Sequence, residues 1–279
     1  MKFRPRRKED RRALGFVVLC LAGFLALLAL PFSSLGDLEI LGIDSLMILS
    51  VFVVSVINHN HRHCLVLSSE NENQILNLMI SCCIGAPSSR LHQVHLFNHH
   101  RHYRSEKDWT CYKSTGSGRG FFRLGSYAVV GSWRIARRRH ELLGEDPEMD
   151  RGLKREKRAL AIWFLVGLVM NPRIVLFCWV PAWIFGLLVL FISNLLNHVD
   201  CDLDSKLNHS RDFLNPFENW LLFNNGYHTA HHLRPAQHWS ELPSHHLQLV
   251  GPQKSPELVM GSFFLYLFRS FWPAKRSNR

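Results

Sequence analysis

Uncharged apolar runs alternate with short basic stretches along this chain. Ala13 to Phe32, "ALGFVVLCLAGFLALLALPF", holds no charge, and at ~1.5 Å per residue a helix of that length crosses a hydrocarbon core of ~30 Å. A basic start before an apolar run also marks a cleaved signal peptide. This run exceeds a usual signal core and lacks a clear A-x-A site, so a retained span is expected. Leu38 to Ile57, "LEILGIDSLMILSVFVVSVI", reads as a second span, with Glu39 and Asp44 near its start. The apolar stretch within Asn71 to Ile84 is shorter, a length that suits an interfacial or re-entrant segment. From Ala159, "ALAIWFLVGLVM" breaks at Asn171-Pro172-Arg173, a turn signal, and "IVLFCWVPAWIFGLLVLFISNLL" continues to Leu196. These two runs read as a helical hairpin whose first arm is short, with Lys157 and Arg158 snorkelling at its end. Glu257 to Arg276 is aromatic-rich but short, and is expected to lie in the membrane interface.

Charge orients these elements. Residues 2–12, "KFRPRRKEDRR", are strongly basic, whereas the link "SSLGD" before the second span has no Lys or Arg. Residues 101–158 carry 15 Lys or Arg against 8 acids. The positive-inside rule then puts the N-terminus and the region after Ile57 in the cytoplasm. A crossing at Asn71–Ile84 would strand the first two histidine clusters on opposite faces, which again argues against a span there. The predicted fold is an all-α integral membrane protein with four transmembrane helices and a cytoplasmic, histidine-rich helical cap. Its parts are a basic N-terminus (1–12), a transmembrane hairpin (13–57), a cytoplasmic region with two histidine clusters (58–158), a second hairpin (159–197), and a cytoplasmic region with a third cluster and the interfacial segment (198–279). Both termini are cytoplasmic in this scheme.

The net charge of +11 makes the basic loop either a solvated surface or a docking face for anionic headgroups or an acidic partner. It lacks the aromatics set among basic residues that grip single-stranded nucleic acid, so no nucleic-acid partner is expected. Seven cysteines without a CxxC pair exclude a secreted disulfide framework.

The chain holds 17 histidines, and their spacing carries the chemistry. Side chains four apart on a helix share one face and can reach one metal. His59 and His63 have that spacing, as do His95 and His99, with His100 adjacent. His228, His231 and His232 stand at i, i+3, i+4, and Asn194 and His198 form a fourth pair at the end of the last span. A structural zinc site needs about four ligands, so nine imidazoles and one amide oxygen suit two metal ions. The donor set is compatible with iron, copper, nickel or zinc. The stretch 200–212, "DCDLDSKLNHSRD", lacks the Gly and Glu of a calcium loop, and calcium is rejected.

The three clusters, "HNHRH" at 59–63, "HLFNHH" at 95–100 and "HTAHH" at 228–232, resemble the histidine boxes of the membrane fatty-acid desaturase superfamily. Asn194 and His198 resemble the extra Asn-xxx-His pair of its acyl desaturases, and Asp108 stands where an acid follows the second box. "HWS" at 238–240 is similar to a stretch in bacterial relatives. The resemblance implies two ferrous ions, dioxygen as co-substrate, a lipid or fatty-acyl substrate and an active site on the cytoplasmic face. The expected ligands are His59, His63, His95, His99, His100, Asn194, His198, His228, His231 and His232. Asp108, Asp200, Asp202 and His238 are expected to support them, with Asp204 a further candidate. His61, His92, His102, His140, His209, His245 and His246 are assigned to surface, supporting or loop roles. No HPGG, CxxC or GxGxxG motif is present, so electrons are expected from a separate donor such as a ferredoxin or cytochrome b5. Desaturation is the leading reading. A hydroxylase or ketolase acting on lipids or carotenoids is the alternative, and a metal transporter the remote one.

Overall fold

Acidic first turns and polar stops set the helix boundaries. Helix α1 (Asp10–Leu28) opens on an acid, which the positive end of the helix dipole favours, and gives out before Pro31. Helix α2 (Asp37–His63) opens behind Gly36, whose amide donates to Glu39 Oε2 at 2.8 Å. Its 27 residues extend about 40 Å, so it outlasts the predicted span and carries the first histidine cluster in its final turns.

The structure is a computed structural model that describes residues 3–103, 105–111, 120–142 and 146–272. Residues 273–276 of the expected interfacial segment, and 112–119 and 143–145 of the basic loop, lie outside the described residues. The next elements are α3 (Glu70–Ile84), α4 (Ser88–Leu91) continued by π-helical turns His92–His100, α5 (Phe121–Arg138), α6 (Pro147–Met170) and α7 (Pro172–His198). Strand β1 (Asp212–Phe213), α8 (Pro216–Leu221), α9 (His228–Leu233), α10 (Leu242–His245), β2 (Val259–Met260) and α11 (Phe263–Arg269) follow. The chain divides into two compact units, residues 1–93 with 142–190, and residues 94–141 with 191–279.

The first unit packs α1, α2, α3, α4, α6 and the start of α7 around Val17, Phe24, Val51, Phe52, Ile80 and Trp179. Trp179 stacks on Trp163 at 4.9 Å and meets Phe24 edge-on at 5.3 Å. Gly186 lets α7 approach α2: a Cβ there would sit 2.5 Å from Val51 Cγ1. Outward-facing Leu19, Leu38, Leu41, Leu46, Val169, Phe177 and Ile184 are exposed. So extensive an apolar surface marks a lipid-facing protein. Among the described residues, three helices, α1, α2 and α7, are long and apolar enough to cross a membrane. Helix α6 is not among them. It begins at Pro147, where Asp146 caps it by accepting from Glu148 N and Met149 N, both at 3.0 Å, so its apolar end continues a charged helix. Helix α3 is a packed segment whose Leu76, Ile80, Cys83 and Ile84 are buried.

Hydrogen bonds place the loops of this unit at two ends. Asn171 Nδ2 donates to Leu28 O (3.3 Å) and Leu30 O (2.9 Å), tying the α6–α7 turn to the end of α1. At the other end of α1, the basic N-terminus is bridged to the stretch after His63 by Arg6 N–Val66 O (2.9 Å) and Ser68 N–Arg4 O (3.0 Å).

The second unit contains α5, the last turns of α7 and α8 to α11. Its core includes Tyr127, Leu195, Leu196, Phe213, Phe223 and Val250. The all-α expectation is qualified by one short parallel pair, β1 with β2, in the register Asp212–Val259 and Phe213–Met260.

Candidate metal centre

Helical winding decides which histidines of the second cluster meet. The sequence reading pairs His95 with His99, as an α-helix would. The segment is instead a π-helix, whose wider turn brings i and i+5 together. His95 Nε2 and His100 Nε2 accordingly lie 2.9 Å apart, and His100 Nε2 is 3.1 Å from His231 Nε2. His99 is released to another group, in which the ligand nitrogens of His99, His198 and His232 lie within 4.8 Å of one another. His228 Nε2 joins them, 3.1 Å from His198 Nε2 and 3.0 Å from His232 Nε2. The corrected pairing sends adjacent residues of one cluster to different groups.

These distances fit metal coordination. Two nitrogens bound to one ion at about 2.1 Å and at right angles to each other are about 3.0 Å apart. A neutral imidazole carries one ring proton, so facing Nε2 atoms cannot all satisfy each other. His232 stays neutral: burial, then the neighbouring His228, His100, His198 and His99, pull its pKa well below the usual value. A cation satisfies such a set of lone pairs.

A model of fatty acid desaturases matches residues 38–258. The chain belongs to the fatty acid desaturase family. No curated protein matches it. Membership makes the protein an oxidoreductase of a family with desaturase-type or hydroxylase-type di-iron chemistry, lipid substrates and a membrane setting.

In this desaturase-family chain the rings are oriented from behind. His99 Nδ1 donates to Asp108 Oδ2 at 2.8 Å and His198 Nδ1 donates to His209 O at 3.0 Å, which leaves each Nε2 as a lone pair. Burial alone would raise the Asp108 pKa, but His99 and two hydrogen bonds from Thr110 hold it below the usual carboxylate range. The third cluster is fixed through Thr229. Its amide donates to Asp212 Oδ1 at 2.8 Å and its hydroxyl accepts from Lys254 Nζ at 2.5 Å. Lys254 Nζ also donates to Ser210 O (2.7 Å) and lies 3.4 Å from Asp212 Oδ2, with both side chains fully buried. His246 Nδ1 is 3.4 Å from the same carboxylate oxygen.

In the first unit, the His59 and His63 rings sit 5.1 Å apart on consecutive turns of α2. His61 between them is fully buried and both its nitrogens are engaged: Nδ1 accepts from Val66 N (3.2 Å) and Nε2 faces Asn77 Oδ1 (3.1 Å). Arg62 reaches Asn58 Oδ1 at 3.2 Å and also bonds Asn77 and Ser88. His92 is half-buried, and burial followed by the charge of Arg62 lowers its pKa to about 4.

The remaining expected supports divide. Asp108 sits behind His99. Asp200, Asp202 and Asp204 are exposed, and Asp202 Oδ1 accepts from Asp204 N within its own turn. The acid beside the third cluster is Asp212. His238 caps the turn at Trp239–Glu241 by accepting from Ser240 N. His140 is exposed, His102 and His245 are half-buried, and His209 and His246, assigned to peripheral roles, are buried. Asn194 is half-buried, with Nδ2 3.1 Å from Tyr127 Oη. Tyr127, Thr110, Asp212 and Lys254 were not singled out in the sequence, because none sits at ligand spacing from a histidine.

Proposed function

We propose that this protein is an oxygen-dependent membrane desaturase that introduces a double bond into a long-chain fatty acyl or lipid substrate. The reaction consumes dioxygen, two electrons and two protons, converts –CH2–CH2– to –CH=CH–, and releases two waters. The convergence of imidazole nitrogens at coordination-edge distances carries this reading.

The proposed ligands are His59, His63, His95, His99, His100, Asn194, His198, His228, His231 and His232. Two ferrous ions held by them would supply dioxygen reduction and hydrogen removal from an unactivated methylene, which no side chain performs alone. The chain's own groups keep the Nδ1 protons of His99 and His198 on Asp108 and on the His209 carbonyl, and bury those two rings away from bulk water.

The proposed topology has four spans, α6 supplying the third through its apolar end, with residues 13–57 and 159–197 as the two hairpins. The histidine-rich regions 58–158 and 198–279 and both termini are cytoplasmic. The bond from Asn171 to the end of α1, and the bridge from the N-terminus to the stretch after His63, support this arrangement. Electrons come from a separate protein such as a ferredoxin or cytochrome b5, attracted to the basic loop.

Expression in a host lacking unsaturated lipids, with a His100→Ala control, tests the reaction. The expected products are acyl chains lighter by two hydrogens. Products that only gain oxygen would replace desaturation with hydroxylation, and oxidation of an added carotenoid alone would change the substrate class.

A further inference from the structure

We infer that Tyr127 is a positioning residue whose hydroxyl decides which end of the Asn194 amide faces the metal centre. The inference rests on the proposal that Asn194 is a ligand. An amide can bind a cation only through its oxygen, because its nitrogen has no free lone pair. An asparagine offering the wrong end would place two N–H donors against the metal. Something must therefore fix the flip.

The hydrogen-bond chain from Thr110 through Tyr127 does so by elimination. Tyr127 Oη lies 3.0 Å from the carbonyl oxygen of Thr110. A carbonyl only accepts, so the phenol proton points there. The hydroxyl oxygen is then left as an acceptor. Asn194, 3.1 Å away, must meet it with Nδ2–H. Its Oδ1 is thereby kept for the other side of the amide, and Asn194 lines the same small cavity as His99, Asp108 and His198.

Packing holds the hydroxyl still. Tyr127 is 1% exposed and stacks on Phe191 at 4.8 Å, one turn before Asn194 on α7. Gly131, the next turn of α5, leaves room for that ring: a Cβ there would sit 2.3 Å from Phe191 Cζ. Thr110 links this device to a second one. Its carbonyl sets Tyr127, while its amide and hydroxyl hold Asp108, which orients His99. One residue after the second histidine box thus governs two neighbouring metal-facing groups.

Full-length protein, stripped of metal and titrated with Co(II), tests this by visible ligand-field absorption, binding affinity and the melting temperature of the metal-free form. Tyr127→Phe should melt near wild type, weaken one metal site about 10- to 100-fold, and shift the spectrum in the direction seen for Asn194→Leu. Asn194→Asp presents oxygen at both ends, so adding Tyr127→Phe to it should change affinity less than about twofold, a coupling read by the double-mutant cycle. A wild-type titration for Tyr127→Phe beside a perturbed Asn194→Leu would overturn the inference alone. Wild-type titrations for both would overturn the reading of Asn194 as a ligand. Equal losses with and without Asn194→Asp, with a lowered melting temperature in both, would make Tyr127 merely structural.

Discussion

Asp108→Asn removes one charge from behind His99 and changes almost no volume. In the native protein Oδ2 accepts from His99 Nδ1 at 2.8 Å, while Oδ1 accepts from Thr110 N at 2.8 Å and Thr110 Oγ1 at 2.7 Å. Both side chains of the His99–Asp108 pair are 3% exposed, so water cannot replace a lost partner. The new amide will keep its oxygen on the two Thr110 donors, which turns its N–H2 toward His99. His99 then either holds its Nδ1 proton against another donor or moves it to Nε2, the nitrogen needed for the metal. Either course weakens binding. Partners behind metal-bound histidines are worth roughly 10- to 100-fold in affinity, equivalent to about 1.4–2.8 kcal/mol. Fe(II) titration of stripped wild type, Asp108→Asn and Asp108→Glu measures it, with Asp108→Glu expected to fall between them. An Asp108→Asn affinity within about twofold of wild type would refute the argument that His99 is oriented through its Nδ1 proton.

Lys254→Met leaves Asp212 buried without its cation, and loss of one partner of such a pair costs about 3–5 kcal/mol. Chemical denaturation should show that loss, and less than about 1 kcal/mol would mean that His246 already balances the carboxylate. For topology, an impermeant thiol reagent added outside cells should label Ser34→Cys and not Lys154→Cys, two exposed positions. The reverse would invert the proposed orientation.

Local pattern revealed three long apolar helices and the histidine spacing, because hydropathy and helical periodicity act over one or two turns. The apolar runs from Ala13, Leu38 and Ile174 correspond to α1, α2 and α7. The run from Ala159 did not disclose that its helix starts at Pro147, since that start is written in the Asp146 cap and not in hydropathy. The π-helical winding at His92–His100 was equally hidden, because i+4 and i+5 partners are both present in "HLFNHH". Asp212, Lys254 and Tyr127 act through contacts formed far along the chain, at 17, 25 and 67 residues' separation. No spacing rule reaches them. Asp200 and Asp202, the acids nearest the Asn194–His198 pair in sequence, are exposed instead.

The most direct test of the central claim is the metal content of active protein. Purified gently from membranes and shown to turn over, the chain should contain about two irons, the number that the ten proposed ligands suit. His99→Ala and His100→Ala should each lower that stoichiometry, because the π-helix sends the two rings to different groups. Active protein containing one zinc and no iron would contradict the account.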